Sequence, residues 1–173
     1  RTGGNVVFAV GSGDLVPLGR DLNPTSYLAG LESRPTEFSM IEKLFLTRSH
    51  WNAMRRHAAR RAPLEACGLL AGKEARVEAV YGMRNAARSP LRFRMEALAQ
   101  WRAFRRIEDL GLELVGIYHS HPNGPDQPSP TDVAEAMYPV VHVVWSPKNG
   151  EWQARGFWIE GGKVFEVTLQ VIH

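Results

Sequence analysis

Apolar and polar positions from residue 40 onward predict seven strands. Short runs that alternate or are wholly apolar, and that end at Gly, Pro or polar turn residues, are typical of strands. The runs are "KLFLT", "EACGLLAG", "ARVEAVYG", "LELVGIYH", "VVHVVWS", "WQARGFWI" and "KVFEVTLQVI". Turns at "PKNGE" and "EGGK" join the last three strands into a hairpin meander.

Two longer segments predict helices. The segment "SHWNAMRRHAARRA" indicates a helix with Ser49 as its cap. The segment "RMEALAQWRAFRRIEDLG" indicates an amphipathic helix that stops at Gly111. Its apolar residues recur at steps of three and predict one buried stripe, formed by Leu98, Trp101, Phe104 and Ile107.

The order of these elements predicts an α+β, or mixed α/β, fold without internal repeats. Helices separate some strands, and the chain ends in the meander. Residues 1–39 differ, because they are rich in Gly, Pro and Ser around one apolar run, Val6 to Val10. We expect residues 1–39 to be an extended N-terminal arm with one strand and a linker. Residues 40–173 are predicted to form the folded domain.

Composition narrows the class of protein. A chain of 173 residues with 44% apolar and 23% charged residues is typical of one soluble globular domain. The formal net charge of +3 is too weak to indicate nucleic-acid binding. No apolar run approaches the ~20 residues that span a bilayer, and no signal peptide is visible. Cys67 is the single cysteine, which excludes an intrachain disulfide. This fits the reducing cytoplasm, where we expect the protein, although many secreted proteins also lack disulfides.

The stretch "VGIYHSHPNGPDQPSPTDVAEA" carries the candidate chemistry. His119 and His121 stand where a predicted strand ends, and residues i and i+2 of an extended chain point to the same side. Zinc prefers His nitrogen and carboxylate oxygen, and a catalytic site keeps one position open for water. Asp132 can supply a third ligand, because the Pro- and Gly-rich loop before it can fold back.

A purely structural explanation exists for part of this stretch. Histidine pairs at this spacing are common, and most bind nothing. Ser129 can cap a helix, with Pro130 at its first position and Asp132 at its third, as a capping box. The two interpretations are compatible, since a helix start is a rigid mount for a ligand.

The joint pattern His-x-His, seven residues, then Ser-x-x-Asp resembles the signature of the JAMM, or MPN-plus, zinc metalloprotease family. That family also places a glutamate at the head of a buried strand, and "PLEACGLLAG" supplies Glu65 there. Asn85, "RFRM" and "GIYHSHP" are further similar pieces. The resemblance covers about residues 42–172. It implies an MPN/JAB-like, cytidine deaminase-like fold with a central, mostly antiparallel sheet flanked by helices.

The resemblance implies one Zn²⁺ per chain, held by His119, His121 and Asp132. Glu65 is then the general base and Ser129 the donor to the oxyanion. The alternative for Glu65 is a surface residue at a strand edge. Zinc deaminases are excluded, because they need a Pro-Cys-x-x-Cys element.

Two residues near these positions have simpler interpretations. Cys67 lies two residues after Glu65 and is a tempting nucleophile, but a lone thiol in an apolar strand is usually an inert core residue. Ser120 lies between the two histidines and is expected to face the opposite way, as a local hydrogen-bonding residue.

The substrate implied by resemblance is the bond after the Gly-Gly tail of a ubiquitin-like or sulfur-carrier protein. The loop "NGPDQP" is short, which favours the compact prokaryotic members and sulfur-carrier processing over deubiquitination in the strict sense. The rival is an MPN scaffold without protease activity. Nucleic-acid and membrane partners are not expected.

The start of the chain carries a separate hypothesis. "RTGG" resembles the end of a ubiquitin-like tail, and the chain begins at Arg1 rather than at Met. One hypothesis is a longer fusion in which a ubiquitin-like domain ends at Gly4, with the Gly4–Asn5 bond as a cleavage site. The alternative is that two adjacent Gly in an arm with five are unremarkable, and that the missing Met reflects only where the sequence was cut.

Overall fold

The predicted helices and strands are present in a computed structural model, which describes residues 40–173. The predicted arm of residues 1–39, including Val6 to Val10 and Gly4, lies outside the described residues. In chain order the elements are β1 (Lys43–Thr47), α1 (Arg48–Arg61), β2 (Cys67–Lys73), β3 (Arg76–Met83), α2 (Ala97–Asp109), β4 (Glu113–Ser120), α3 (Pro130–Ala134), β5 (Val141–Lys148), β6 (Glu151–Glu160) and β7 (Lys163–Ile172).

The seven strands form one sheet in the order β1-β3-β2-β4-β5-β6-β7, and it closes into a barrel. Four of its pairs are antiparallel: β2 with β3, β2 with β4, β5 with β6, and β6 with β7. The other three are parallel, so the expectation of a mostly antiparallel sheet holds. β1 closes the barrel by pairing with β7 over its whole length and with β3 at Phe45 and Arg76. Sequence patterns do not predict this closure.

Two hydrophobic clusters lie on opposite faces of the sheet. In one cluster, the buried α1 residues Met54 and Ala58 lie together with Tyr118 and Trp145 of the sheet. The other contains Ala103 and Ile107 of α2. Alternate residues of β2 and β4 therefore serve different cores, and this alternation decides which side chains can meet at the end of β4.

The cap predicted for α1 is wrong by two residues. Thr47, not Ser49, is the N-cap. The Thr47 hydroxyl accepts from the His50 N–H at 3.3 Å, and the His50 ring accepts from the Thr47 N–H at 3.4 Å, which makes a capping box. Thr47 also ends β1, so strand and helix meet without a linker, and Ser49 lies inside the first turn.

The buried stripe predicted for α2 is wrong in part. Leu98 is 48% exposed, whereas the buried residues of α2 are Gln100, Ala103 and Ile107. A helix turns about 100° per residue, so apolar positions at strict steps of three drift around the axis. Glu96 caps the helix, and Gly111 follows its end with a φ of 62°, the left-handed conformation expected of a C-terminal glycine.

Within residues 40–173, no helix is long and apolar enough to cross a membrane.

Candidate functional site

The pairing of β2 with β4 positions Glu65 and the two histidines. Cys67 lies opposite His119 in this antiparallel pair. The ladder continues one step beyond the strands, because the Ser120 N–H donates to the Ala66 carbonyl at 2.9 Å. This register places Glu65 opposite His121. Since alternate residues share a face, Glu65, Cys67, His119 and His121 all point to the α2 side of the sheet.

The structure brings His119, His121 and Asp132 together. The two Nε2 atoms of the histidines are 3.0 Å apart. The Oδ2 atom of Asp132 is 3.3 Å from Nε2 of His119 and 3.2 Å from Nε2 of His121. His119 is fully buried and His121 is 6% exposed. The three donor atoms thus form a nearly equilateral triangle at the end of β4.

This triangle fits a zinc ion. Zinc bonds of about 2.0–2.1 Å in a tetrahedral arrangement place two ligand atoms about 3.3 Å apart. The donors are two imidazole nitrogens and one carboxylate oxygen, the set that zinc accepts in catalytic sites. Three protein donors leave a fourth position for water or substrate.

Asp132 is held by the start of α3. The Ser129 N–H and the Ser129 hydroxyl both donate to Oδ2 of Asp132 at 2.7 Å, and the Asp132 N–H donates back to the hydroxyl at 3.2 Å. Ser129 is the N-cap and Pro130 is the first helical residue, so the predicted capping box is confirmed. The capping box orients the same carboxylate that faces the histidines.

Electrostatics around Asp132 favour its charged form. Burial of Asp132 opposes ionisation, but hydrogen bonds from His119, His121 and Ser129 hold its pKa well below its usual range. For His121, burial lowers the pKa, while its bonds to Asp132 and to the Pro125 carbonyl outweigh burial and raise it. A concentrated negative charge therefore faces the two rings, as a cation site requires.

The His121 ring is oriented by the loop after β4. Its Nδ1 donates to the Pro125 carbonyl at 2.8 Å, so in the neutral ring that binds a metal the proton is on Nδ1 and Nε2 presents a lone pair to the triangle. Gly124 allows this close approach, because a Cβ there would lie 3.0 Å from the Cβ of His121. An ion pair of 3.2 Å between Asp126 and Arg155 ties the same loop to β6.

The His119 ring is held differently. Phe93 stacks on it, with the ring centroids 4.8 Å apart. Its Nδ1 atom is buried and has no hydrogen-bond partner among residues 40–173. The neighbouring residues therefore leave one ring nitrogen of His119 without a hydrogen bond.

Glu65 is buried, contrary to the alternative of a surface residue. It is 2% exposed, and within the described part of the chain its Oε2 atom has no hydrogen-bond partner. Burial raises its pKa to about 7; a charged His121 lowers this pKa and Asp132 raises it. A carboxyl group that exchanges its proton near neutrality is suited to general acid–base catalysis.

Asn85 fixes the backbone of Glu65. Its side-chain amide donates to the carbonyls of Glu65 at 3.1 Å and of Arg92 at 3.0 Å, while its oxygen accepts from the N–H groups of Ala87 and Arg94 at 3.0 Å. Asn85 is 1% exposed. Sequence patterns mark Asn85 only as a piece of the family resemblance, and this supporting role comes from the structure.

The structure agrees with the interpretation of Ser120 as a local hydrogen-bonding residue and of Cys67 as an inert core residue. Ser120 is on the other face and accepts from the Ala66 N–H at 2.8 Å, as a local hydrogen-bonding residue. Burial, together with the neighbouring Glu65 charge, raises the pKa of the Cys67 thiol to about 12. Such a thiol is not a nucleophile at neutral pH.

A small cleft opens beside Asp132. It is lined by Phe93, Ile117, Asp132, Glu135, Met137, Tyr138 and His142. His142 is 5% exposed, and burial, followed by the His119 charge, lowers its pKa to about 4. Sequence patterns did not single out His142, since a lone histidine in an apolar strand carries no motif.

Comparisons with known proteins agree with the fold and with the motif. A family model described as prokaryotic homologs of the JAB domain matches residues 47–159. A probable TtuB-protein conjugate cleaving protease from Thermus thermophilus is 38% identical over 130 residues, which cover 75% of this chain and 83% of that protein. A CysO-cysteine peptidase from Mycobacterium tuberculosis is 39% identical over 125 residues, which cover 70% of this chain and 86% of that protein.

Comparison with solved structures also finds proteins of similar fold. A protein from Desulfitobacterium hafniense matches with a TM-score of 0.69 and 30% identity, over 75% of this chain and 93% of that chain. A structure described as JAMM, a metalloprotease-like zinc site in the proteasome and signalosome, matches with a TM-score of 0.50 and 16% identity, over 76% of this chain and 99% of that chain. Because its identity is only 16%, this second match is evidence for the fold alone.

The fold is therefore that of JAB/MPN domains, the class to which the JAMM metalloproteases belong. Within that class, the chain belongs to the prokaryotic JAB family, the compact prokaryotic type of JAMM/MPN-plus protein.

Proposed function

We propose that the chain is a zinc-dependent peptidase that hydrolyses the bond after the Gly-Gly C-terminus of a ubiquitin-like or sulfur-carrier protein. The observation that carries this proposal is the triangle of His119, His121 and Asp132, with donor atoms 3.0–3.3 Å apart and a buried carboxyl group, Glu65, on the same face. Membership of a family whose named relatives are peptidases supports the hydrolase class.

Each residue of the site has a proposed role. A zinc ion held by His119, His121 and Asp132 would supply an activated water and polarise the scissile carbonyl. Glu65 takes the proton of that water and later delivers it to the leaving amine, a transfer that suits its pKa of about 7. The Ser129 N–H keeps the Asp132 carboxylate in place, and the Ser129 hydroxyl, which must turn its single proton away from Asp132, is the proposed donor to the carbonyl oxygen as that oxygen becomes negative.

The substrate class rests on the resemblance and on the relatives. The relatives are named as a probable TtuB-protein conjugate cleaving protease and a CysO-cysteine peptidase. A narrow groove beside the triangle would admit residues without a Cβ next to the scissile bond, and a Gly-Gly tail satisfies that condition. We propose a carrier protein as the partner, processed in the cytoplasm, with neither nucleic acid nor membrane involved.

The test is hydrolysis of a Gly-Gly-tailed carrier protein with one residue or an amine conjugated at its C-terminus. The protein should contain one zinc per chain and release the carrier ending in Gly-Gly. Glu65→Gln should keep the zinc and lose most turnover. A wild-type protein that binds one zinc yet cleaves no such conjugate would favour the scaffold alternative.

A further inference from the structure

His142 and His119 are two buried histidines of neighbouring strands, and each has an unpaired ring nitrogen. Nε2 of His142 and Nδ1 of His119 are both buried without a hydrogen-bond partner inside residues 40–173. Buried polar atoms are nearly always paired, so each such atom calls for an explanation.

The strand register places the two rings on the same face. In the parallel pair of β4 with β5, Ile117 lies opposite His142 and His119 lies opposite Val144. His142 is therefore diagonal to His119, about 7 Å further back along the strand direction, at a rise of about 3.3 Å per residue. Both rings lie on the α2 side of the sheet, where Phe93 stacks on His119 and lines the same cleft as Ile117 and His142.

One of the two rings has an unpaired acceptor nitrogen, and the other has an unpaired donor nitrogen when zinc is bound. His142 donates to the backbone carbonyl of Tyr138. Because its Nε2 has no partner, this donor is Nδ1, and Nε2 of the neutral ring is a lone-pair acceptor. If His119 uses Nε2 for the zinc, its proton must be on Nδ1, which makes Nδ1 a donor. A buried donor and a buried acceptor thus arise on diagonal neighbours.

We infer that His142 is a positioning residue for the metal site, whose Nε2 accepts the His119 Nδ1–H through one buried water, since the two nitrogens make no direct bond. The inference rests on the proposed zinc site. The bond fixes the tautomer and the orientation of His119, as the Pro125 carbonyl does for His121. It would give His119 the support that its immediate neighbours lack.

Zinc affinity of two matched variants tests the inference. In His142→Gln the side-chain oxygen can take the acceptor position of Nε2. In His142→Asn the amide can keep the bond to the Tyr138 carbonyl, but no acceptor reaches His119. We expect His142→Asn to weaken zinc binding by roughly 10–100-fold, the usual effect of losing such a partner, and His142→Gln to bind nearly as tightly as the wild type.

A structural role alone would give a different result. If His142 only fills space, both variants should lower the unfolding midpoint of the metal-free protein and leave the zinc affinity of the folded protein unchanged. Equal zinc affinities for His142→Asn and the wild type would overturn the inference. A wild type that binds no zinc would instead overturn the proposed function on which the inference rests.

Nuclear magnetic resonance of the ¹⁵N-histidine-labelled wild type needs no variant. Addition of zinc should protect the His119 Nδ1 proton from exchange and shift the His142 Nε2 resonance. A His119 Nδ1 proton that exchanges freely in the zinc-loaded protein, or a His142 resonance that does not move, would contradict the bond.

Discussion

Replacing Glu65 by Gln should stabilise the metal-free protein at alkaline pH. Glu65 is 2% exposed, and burial raises its pKa from 4.5 to about 7. A carboxyl group with a raised pKa binds its proton more tightly in the folded state. Its contribution therefore favours folding at low pH and is lost as the pH rises from about 4.5 through about 7.

The expected size follows from the shift. At 1.36 kcal/mol per pKa unit, a rise of about 2.5 units corresponds to about 3 kcal/mol of stability lost above the folded pKa. Gln has nearly the same shape and no charge, so Glu65→Gln avoids this loss. The free energy of unfolding of the variant, relative to wild type, should rise by about 2–3 kcal/mol between pH 5 and pH 8.5.

The assay is denaturant unfolding of chelator-treated protein at both pH values. Glu78→Gln is the matched control, because Glu78 is an exposed carboxylate on β3. The control should follow the pH dependence of the wild type. If Glu65→Gln shows the same stability difference from wild type at pH 5 and pH 8.5, Glu65 is not the buried acid that its position implies.

Further substitutions test the other parts of the site. Glu65→Gln in the zinc-loaded protein should lower turnover by ~10²–10⁴-fold without loss of metal, and unchanged turnover would remove Glu65 from the mechanism. Asp132→Ala should abolish activity and most zinc binding, as measured by metal analysis; full zinc and full turnover would contradict the ligand assignment. Ser129→Ala should retain more zinc than Asp132→Ala but slow the reaction by roughly 10²–10³-fold, and an unchanged rate would exclude the oxyanion role. Asn85→Ala leaves buried backbone groups unpaired and should lower the free energy of unfolding by roughly 3 kcal/mol, as measured with denaturant. A loss well below 1 kcal/mol would show that Asn85 does not support the backbone of Glu65.

Most helices and strands are predictable from the sequence because short runs of neighbouring residues encode them. The apolar runs of β2 and β4 are bounded by turn residues, and the capping box at Ser129 is a four-residue signal. The motif also predicted that His119, His121 and Asp132 meet, since the strand brings the first two to one side. Their roles as ligands, and those of Glu65 and Ser129 in catalysis, stay predictions.

Features that depend on distant contacts were not predictable. The parallel pairing of β1 with β7 joins residues more than 100 positions apart, and no local pattern encodes it. The support of Glu65 by Asn85 depends on how the segment after β3 folds back. Thr47 displaces Ser49 as cap because β1 runs directly into α1, a boundary that propensity alone does not fix.

Cleavage of a defined conjugate tests the central claim most directly. The substrate is a carrier protein ending in Gly-Gly with one further residue attached, and the product is identified by mass spectrometry. We expect the protein containing one zinc per chain to release the carrier with its Gly-Gly end, to lose cleavage on chelation, and to recover it when zinc is restored. Cleavage that persists in the chelated protein, or that proceeds at the wild-type rate in Glu65→Gln, would contradict the central claim.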